Sequence, residues 1–395
     1  MTTCDIIGIS DSRSVWFPPE VADVIRRGRV FSGGRRHHEI VASLLPDGAR
    51  WIDITVPLEG VFRQYERYDH VVIFASGDPL FFGFANTVRR ELPRAEIRVY
   101  PTSNSLQTLA HRMVMPYHDM HVVSLTGRDW QKLDEALIVG ETMIGCLTDR
   151  TKTPHAISRR MREYGYTNYR MTVGENLGNE EKERVSAYDE EAVYEHPNCI
   201  ILEKTAERPR PFGIPESEFA LLDGRVKMIT KMPIRLLTLQ ALGLPRRHVL
   251  WDIGACTGSV SIEGRLQFPH LRVEAFEIRP ECEAIIGENA RRHGAPGINI
   301  HIGDFLETGV ESLPRPDAVF IGGHGGRLKE IMAKVLTVLA PGGVVVMNSV
   351  KVPKVATDSH LLWDEACQAL GLRQEPPMRI VLDNHHPIEI LKCSR

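Results

Sequence analysis

The sequence predicts two α/β units in tandem, the first a mostly parallel sheet with a second lobe and the second a doubly wound parallel sheet. Three observations carry this expectation. The chain has 395 residues, more than one hydrophobic core usually serves. Short apolar runs alternate with segments of helical period along most of its length, as in successive βα units. Between two such patterns lies EKTAERPRPFGIPESE, residues 203–218, where Pro, Gly and charge collect as they do in linkers.

The elements follow in order. CDIIGI (4–9), RVFSGG (29–34), WIDITVP (51–57), HVVIFAS (70–76), EIRVYP (96–101) and HVVSL (121–125) read as strands. Helical segments separate them: PPEVADVIRRG, one from about Arg36, a short one before residue 70, Phe81 to Leu92, and SLQTLAHRM. TMIGCL, YRMTVGEN and CIILEK, with one basic helix near residues 155–164, add strands of more hairpin character between 140 and 204. Beyond the linker, VLWDI (249–253), RVEAFEI (272–278), INIHIG (298–303), DAVFIGG (317–323) and GGVVVMNSV (342–350) recur with helices such as PECEAIIGENARRHG and RLKEIMAKVLTVL. The expected boundaries are 1–204, a linker at 205–211, and 212–395.

Composition narrows the function classes. Hydrophobic residues make up 43% and charged residues 25%, the proportions of an ordinary globular protein. A net charge of −3 lacks the basic footprint of a nucleic-acid binder. With no signal-peptide pattern and no apolar stretch of spanning length, a cytoplasmic enzyme with no membrane partner is expected. Seven cysteines without a C-x-x-C pair fit reduced thiols better than a disulfide framework. His37-His38, His118-x-x-His121 and His385-His386 lack Cys or acidic partners at ligand spacing, so no metal is expected.

The chemistry concentrates where strands end. WDIGACTGSVSIEG, residues 251–264, places Gly254 and Gly258 around a tight turn, but no Lys-Ser/Thr pair follows, so it is not a P-loop. In an open α/β sheet, ligands bind beyond the carboxyl ends of the strands. Asp252, Gly254, Glu277, Asp304 and the run Gly322-Gly323-His324-Gly325-Gly326 all fall there. For a nucleoside, Gly254 and Gly258 allow close backbone approach, Glu277 accepts from two ribose hydroxyls, and Asp304 accepts from an adenine amino group. NAD and S-adenosylmethionine both satisfy these points. A dinucleotide needs the middle glycine of its fingerprint, where Cys256 stands, whereas Asp252 suits the cationic groups of S-adenosylmethionine. That cofactor is therefore expected, and a nicotinamide dehydrogenase is the rival.

MITKMPIR (228–235), LWDIGACTGSVSIE (250–263), AFEIRP, HIGDF and DAVFIGGHGG together resemble the precorrin C15-methyltransferase/decarboxylase family over residues 212–395, except that the family carries glycine at Cys256. In the first half, FASGDPLFFG (74–83) taken alone is a strand-to-helix turn with Asp78 as cap and Pro79 as helix start. Taken with FSGGRRHHE, PTSNSLQ, SLTGRD, GENLGNEEK and PNCIILE, it resembles the tetrapyrrole methylases, most closely the precorrin C5-methyltransferase type. Two places depart from that pattern: the first loop, GISDSRSVWFPP, and Thr126 in place of a histidine.

Both halves in this order are similar to the bifunctional precorrin C5,15-methyltransferases (decarboxylating). The resemblance implies a two-lobed tetrapyrrole methylase fold followed by a doubly wound Rossmann-like methyltransferase domain, two S-adenosylmethionine sites, a small-molecule tetrapyrrole substrate, and a homo-oligomer. Cofactor contacts are expected at Gly77, Asp78, Pro79 and Ser103 in the first half. In the second they are expected at Asp252, Gly254, Cys256, Gly258, Glu277, Asp304, Gly322 and Gly323. The substrate's carboxylates point to Arg35, Arg36, Lys231, Arg235 and Arg327 as clamps, and His324 is the candidate for proton transfer. An RNA methyltransferase, or a single C15 activity beside a degenerate first domain, is the alternative.

Overall fold

A computed structural model describes residues 2–225, 228–350, 359–381 and 388–394; the pair His385-His386 lies outside them. The chain divides into two compact units. The first comprises Met1–Arg128, Glu141–Ser158 and Tyr169–Thr205, the second Asp129–Gly140, Arg159–Asn168 and Ala206–Arg395.

The first unit opens with β1 (Thr3–Ile9), α1 (Pro19–Arg27), β2 (Val30–Gly33), α2 (Arg35–Val41), β3 (Arg50–Asp53), α3 (Glu59–Tyr65), β4 (His70–Ser76), α4 (Phe84–Glu91) and β5 (Glu96–Tyr100). The strands form one parallel sheet in the order β3-β2-β4-β1-β5. Helices cover both faces, so the strands are apolar on both sides. Cys4 and Ile6 of β1 join Val71 and Ile73 of β4 in one core layer, while Ile7 and Ile9 join Val72 and Phe74 in the other. Helix α4 begins at Phe84, three residues later than the sequence suggested. Gly83 stands at its N-cap, where a Cβ would lie 2.5 Å from Pro79 O, and Phe82 has φ +54°, so residues 78–83 turn before the helix starts.

Next along the chain come α5 (Ser105–Arg112), β6 (His121–Ser124), α6 (Gln131–Val139), β7 (Met143–Leu147), α7 (Pro154–Glu163), β8 (Tyr169–Glu175), β9 (Arg184–Ala187) and β10 (Asn198–Lys204), of which α6 and the end of α7 belong to the second unit. Asn104 and Gln107 form a capping box that starts α5, satisfying two otherwise unpaired donors. The second sheet runs β6-β7-β10-β8-β9 and is antiparallel except for the β6–β7 pair. This is the hairpin-rich lobe that the sequence suggested. Helix α6 went unread between two strands; it ends at Gly140, which is left-handed and closes a helix as glycine commonly does.

The second unit contains α8 (Met232–Leu242), β11 (Val249–Ile253), α9 (Ser259–Gln267), β12 (Arg272–Glu277), α10 (Glu281–His293), β13 (Ile298–Ile302), β14 (Ala318–Ile321), α11 (Leu328–Val338), β15 (Val344–Val350), α12 (Ser359–Leu370), β16 (Arg373–Gln374), β17 (Met378–Ile380) and β18 (Ile388–Ser394). The order is β13-β12-β11-β14-β15-β18-β16, with β17 also on β18. Strands β11 to β15 are parallel and β18 runs against β15, unlike the all-parallel order of dinucleotide folds. Trp251, Val319 and Val345 fill one face and Leu250, Phe320 and Val346 the other. Among the described residues, no helix is long and apolar enough to cross a membrane.

The structure corrects the expectation for Arg235. Its side chain is fully buried, with Nε 3.2 Å from Glu263 Oε2, Nη1 donating to Thr230 O at 2.8 Å and Nη2 donating to Ile214 O. Glu263 in turn accepts from Gly213 N and Ile214 N. The pair fastens residues 213–214 and 230 to α8 and α9 and presents no charge to a ligand. Removing one partner of a buried ion pair costs about 3–5 kcal/mol. Arg235→Ala should therefore lower the stability of this unit by that amount, read as a shift in its urea midpoint. A loss under about 1 kcal/mol, the scale of an exposed pair, would restore Arg235 as a candidate clamp.

Candidate active sites at the strand ends

In the second unit the turn after β11 organises the site. Gly254 has φ +78°, and a Cβ there would lie 2.7 Å from Gly323 N, so only glycine lets the loops after β11 and β14 meet. The amides of Gly254 and Ala255 both donate to Phe276 O, at 2.8 and 3.0 Å, while Gly322 N donates to Ile253 O at 2.8 Å and Gly303 N to Glu277 O at 2.9 Å. Four strand ends are thus tied side by side. Above them opens a cavity of about 870 Å³, within the size range of small-molecule sites. Gly254, Cys256, Glu277, Asp304, Gly322, Gly323, His324, Arg327 and Lys231 all line it.

Glu277 is buried. Its Oε2 accepts from Cys256 N at 2.8 Å, and its Oε1 accepts from Arg279 N and Arg279 Nη1, each at 3.1 Å. A carboxylate offers about four lone-pair positions, so acceptor capacity remains at the cavity wall. Cys256 has φ +52°, a conformation natural to glycine and strained for other residues. Its side chain packs with Cys282 and Ile286, while its amide holds Glu277.

Asp304 caps its own turn, with Oδ1 accepting from Leu306 N at 2.9 Å, and its Oδ2 pairs with Arg327 Nη1 at 2.9 Å. Arg327 also binds Glu330, so much of its charge is matched within the protein. Lys231 stands at the N-cap of α8. Gly326 N donates to His324 Nδ1 at 3.1 Å, which leaves the proton of the neutral ring on Nε2, 3.4 Å from Ser359 Oγ. Burial lowers the His324 pKa and so favours that neutral form.

Two expected contacts lie behind the cavity wall. Asp252 is buried, and its Oδ2 takes both the amide and the hydroxyl of Ser261, at 3.1 and 2.6 Å. It braces the start of α9 and does not reach the cavity to meet a cation. Gly258 begins α9 with φ +72°, and a Cβ there would meet Ile286 Cγ2 at 2.9 Å. Its glycine serves helix packing.

In the first unit a cavity of about 550 Å³ sits at the carboxyl ends of the parallel sheet and is lined by Gly77, Asp78 and Ser103. Gly77 N donates to Ile9 O at 2.8 Å, and a Cβ on Gly8 would lie 2.2 Å from Gly77 O, so this loop presses against β1. Asp78 Oδ1 accepts from Leu80 N at 2.9 Å and caps the turn. Pro79 is not in the lining; its ring stands over Gly8. Arg36 lines the cavity, donates to Ser76 Oγ at 2.9 Å and lies 3.5 Å from Asp11. Arg35 is exposed and pairs with Glu39. Thr126 lines the cavity and donates to Thr148 O at 2.9 Å.

Among the polar lining residues that sequence reasoning did not place at a site are His37 and Asn348. His37 accepts Gly34 N at Nδ1 and meets Ser76 Oγ at 2.9 Å through Nε2; burial and Arg36 push its pKa down to about 4. His38 instead stacks on Trp51 with centroids 4.1 Å apart, so the two rings diverge. Asn348 lines the second cavity. Its signal was available: the apolar run VVVM of β15 turns polar at Asn348, where its pairing with β14 has ended.

A family model for precorrin methyltransferase domains matches residues 223–368, and one for tetrapyrrole (corrin/porphyrin) methylases matches residues 1–191. The chain is 34% identical over 357 residues to a precorrin-6Y C(5,15)-methyltransferase [decarboxylating] of Sinorhizobium sp, covering 87% of this chain and 84% of that protein. Two Salmonella typhimurium proteins match parts of the chain. A cobalt-precorrin-6B C(15)-methyltransferase (decarboxylating) is 40% identical over 181 residues, 44% of this chain and 93% of that protein. A cobalt-precorrin-7 C(5)-methyltransferase is 24% identical over 205 residues, 50% of this chain and 98% of that protein.

Asp252 makes the second unit's stability depend on pH. Burial raises its pKa to about 6, against about 3.9 in an unfolded chain. Between these values the folded state holds the extra proton, so stability falls as pH rises from about 4 to about 6, by about 3 kcal/mol from this group. Asp252→Asn should remove that slope, gaining on the wild type by this amount from pH 4 to pH 7 in urea titrations. A constant difference across the range would contradict the assignment.

Proposed function

The chain belongs to the precorrin-6Y C(5,15)-methyltransferase (decarboxylating) family, and from that premise we propose that each unit binds S-adenosylmethionine at its own strand-end cavity and methylates a precorrin. The first unit acts at C5. The second acts at C15 and removes the carboxylate of the C12 acetate side chain, in cobalamin biosynthesis. One observation carries this reading: two separate cavities, each at the carboxyl ends of a parallel sheet, in a chain similar along both halves to proteins with both reactions in their name. A cytoplasmic, homo-oligomeric enzyme belongs to the same proposal.

The residues fit the cofactor. The Gly254–Gly323 approach leaves bare backbone where a side chain would fill the cradle, and Glu277 retains acceptor capacity on Oε2, which takes one hydrogen bond within the protein, suited to a ribose hydroxyl. When bound, S-adenosylmethionine supplies a methyl group on a sulfonium, open to attack by an electron-rich ring carbon. The chain's own task is to hold that carbon in line and exclude water, which supplies much of the acceleration. Lys231 offers a cation for the substrate's carboxylates. The neutral His324, with its proton on Nε2, is placed to donate a hydrogen bond or to exchange a proton at the cavity wall.

Mass spectrometry of the precorrin-6 substrate after reaction with the full chain tests the reading. Wild type should add two methyl groups and remove one carboxyl as carbon dioxide. Asp78→Ala should forfeit one methyl with decarboxylation intact, and Glu277→Ala should forfeit the other together with decarboxylation. A wild-type product with a single added methyl, indifferent to Asp78→Ala, would leave the first unit without an activity.

A further inference from the structure

The first cavity holds a hydrogen-bond cluster that the reading above does not use. Ser76 ends β4 and is exposed at the cavity wall. Its Oγ lies 2.9 Å from Arg36 Nη2 and 2.9 Å from His37 Nε2. Arginine is a donor only. The imidazole is a donor here too: Gly34 N donates to its Nδ1 at 3.2 Å, so the ring carries its proton on Nε2, and burial keeps it in that neutral form. Both neighbours being donors, Ser76 accepts from each and can give its own proton to neither. Among the described residues no other hydrogen bond takes that proton. It is offered to whatever occupies the cavity.

The guanidinium beside it belongs to the same donor set. Arg36 lines the cavity with Asp11 3.5 Å away on its Nε side, and its N–H groups beyond these contacts are uncommitted among the described residues. A hydroxyl proton next to guanidinium N–H groups suits a carboxylate. Position selects which carboxylate. The sheet order is β3-β2-β4-β1-β5. On the proposed placement the cofactor reaches from Gly77 and Asp78, after β4, to Ser103, after β5, whereas Arg36 and His37 come from the end of β2, on the opposite side of β4. At about 4.8 Å per strand, the ends of β2 and β5 lie about 14 Å apart. A cofactor held toward β5 leaves the β2 side to the methyl acceptor, and the anionic groups of a precorrin are its carboxylates.

We infer that Ser76 is a substrate-binding residue of the first unit, whose hydroxyl, beside the Arg36 guanidinium, donates to a carboxylate of the precorrin. This rests on the proposed C5 reaction. The test uses the full chain and the tetrapyrrole that lacks only the C5 methyl group, on which the first unit alone acts. Initial rates are followed by absorbance while each reactant is varied. Ser76→Ala should raise the KM for the tetrapyrrole by about 10- to 100-fold, the scale of a hydrogen bond to a charged group. A contact made equally with substrate and transition state moves KM alone, so kcat should stay within about twofold.

Ser76→Thr keeps the hydroxyl and should hold the tetrapyrrole KM within about threefold of the wild type. The KM for S-adenosylmethionine should stay within about twofold in both variants, since the hydrogen bond lost is not the cofactor's. An unchanged tetrapyrrole KM in Ser76→Ala, or an equal loss in Ser76→Thr, would overturn the assignment. So would a rise confined to the KM for S-adenosylmethionine, which would give the carboxylate to the cofactor's methionyl group, and so would a fall in kcat shared with both KM values, the mark of a distorted cavity. A wild-type chain that leaves this tetrapyrrole unmethylated would overturn the C5 reading itself, and this assignment with it.

Discussion

The second unit is organised by a contact between two stretches of bare backbone, Gly254 against Gly323. A side chain at Gly254 would come within 2.7 Å of the Gly323 amide, so the loops after β11 and β14 meet only because position 254 carries none. That approach sets the cavity floor. It fixes where β12 delivers Glu277 and where β14 delivers the run that contains His324, and it leaves β15 to present Asn348 at the far rim. The first unit solves the same problem in another way: Gly8 within β1 lets the loop at Gly77 lie across the strand.

Much of this was legible in the sequence because burial on both faces of a parallel sheet forces continuous apolar runs. The parallel strands β1 to β5 and β11 to β15 stand out as such runs, and β6, β7, β8 and β10 of the mixed sheet are apolar enough to be legible as well. The strand-end rule then directed attention to Glu277, Asp304 and the glycines around His324. Helix α6 and the antiparallel β18 were not read: the one is short between two strands, and the other lies past residues with little periodicity.

Side-chain direction was beyond the sequence. Asp252 and Glu277 both sit at strand ends, yet one faces Ser261 under α9 and the other faces the cavity. Gly254 and Gly258 look alike in the motif, but one meets a loop and the other a helix. Arg235 read as a cation for a ligand, and only its three-dimensional neighbours, Glu263 and the carbonyls of Ile214 and Thr230, show that its charge is spent inside. Cys256 keeps a left-handed backbone conformation suited to glycine, so the turn forms around a residue that in sequence looked disruptive.

Each unit is proposed to carry its own nucleoside-cofactor site. Calorimetric titration of the full chain with S-adenosylmethionine tests it most directly, first on the wild type and then on Glu277→Ala. Two sites per chain are expected in the wild type and one in the variant. A single site in the wild type, or two undiminished sites after the loss of Glu277, would contradict it.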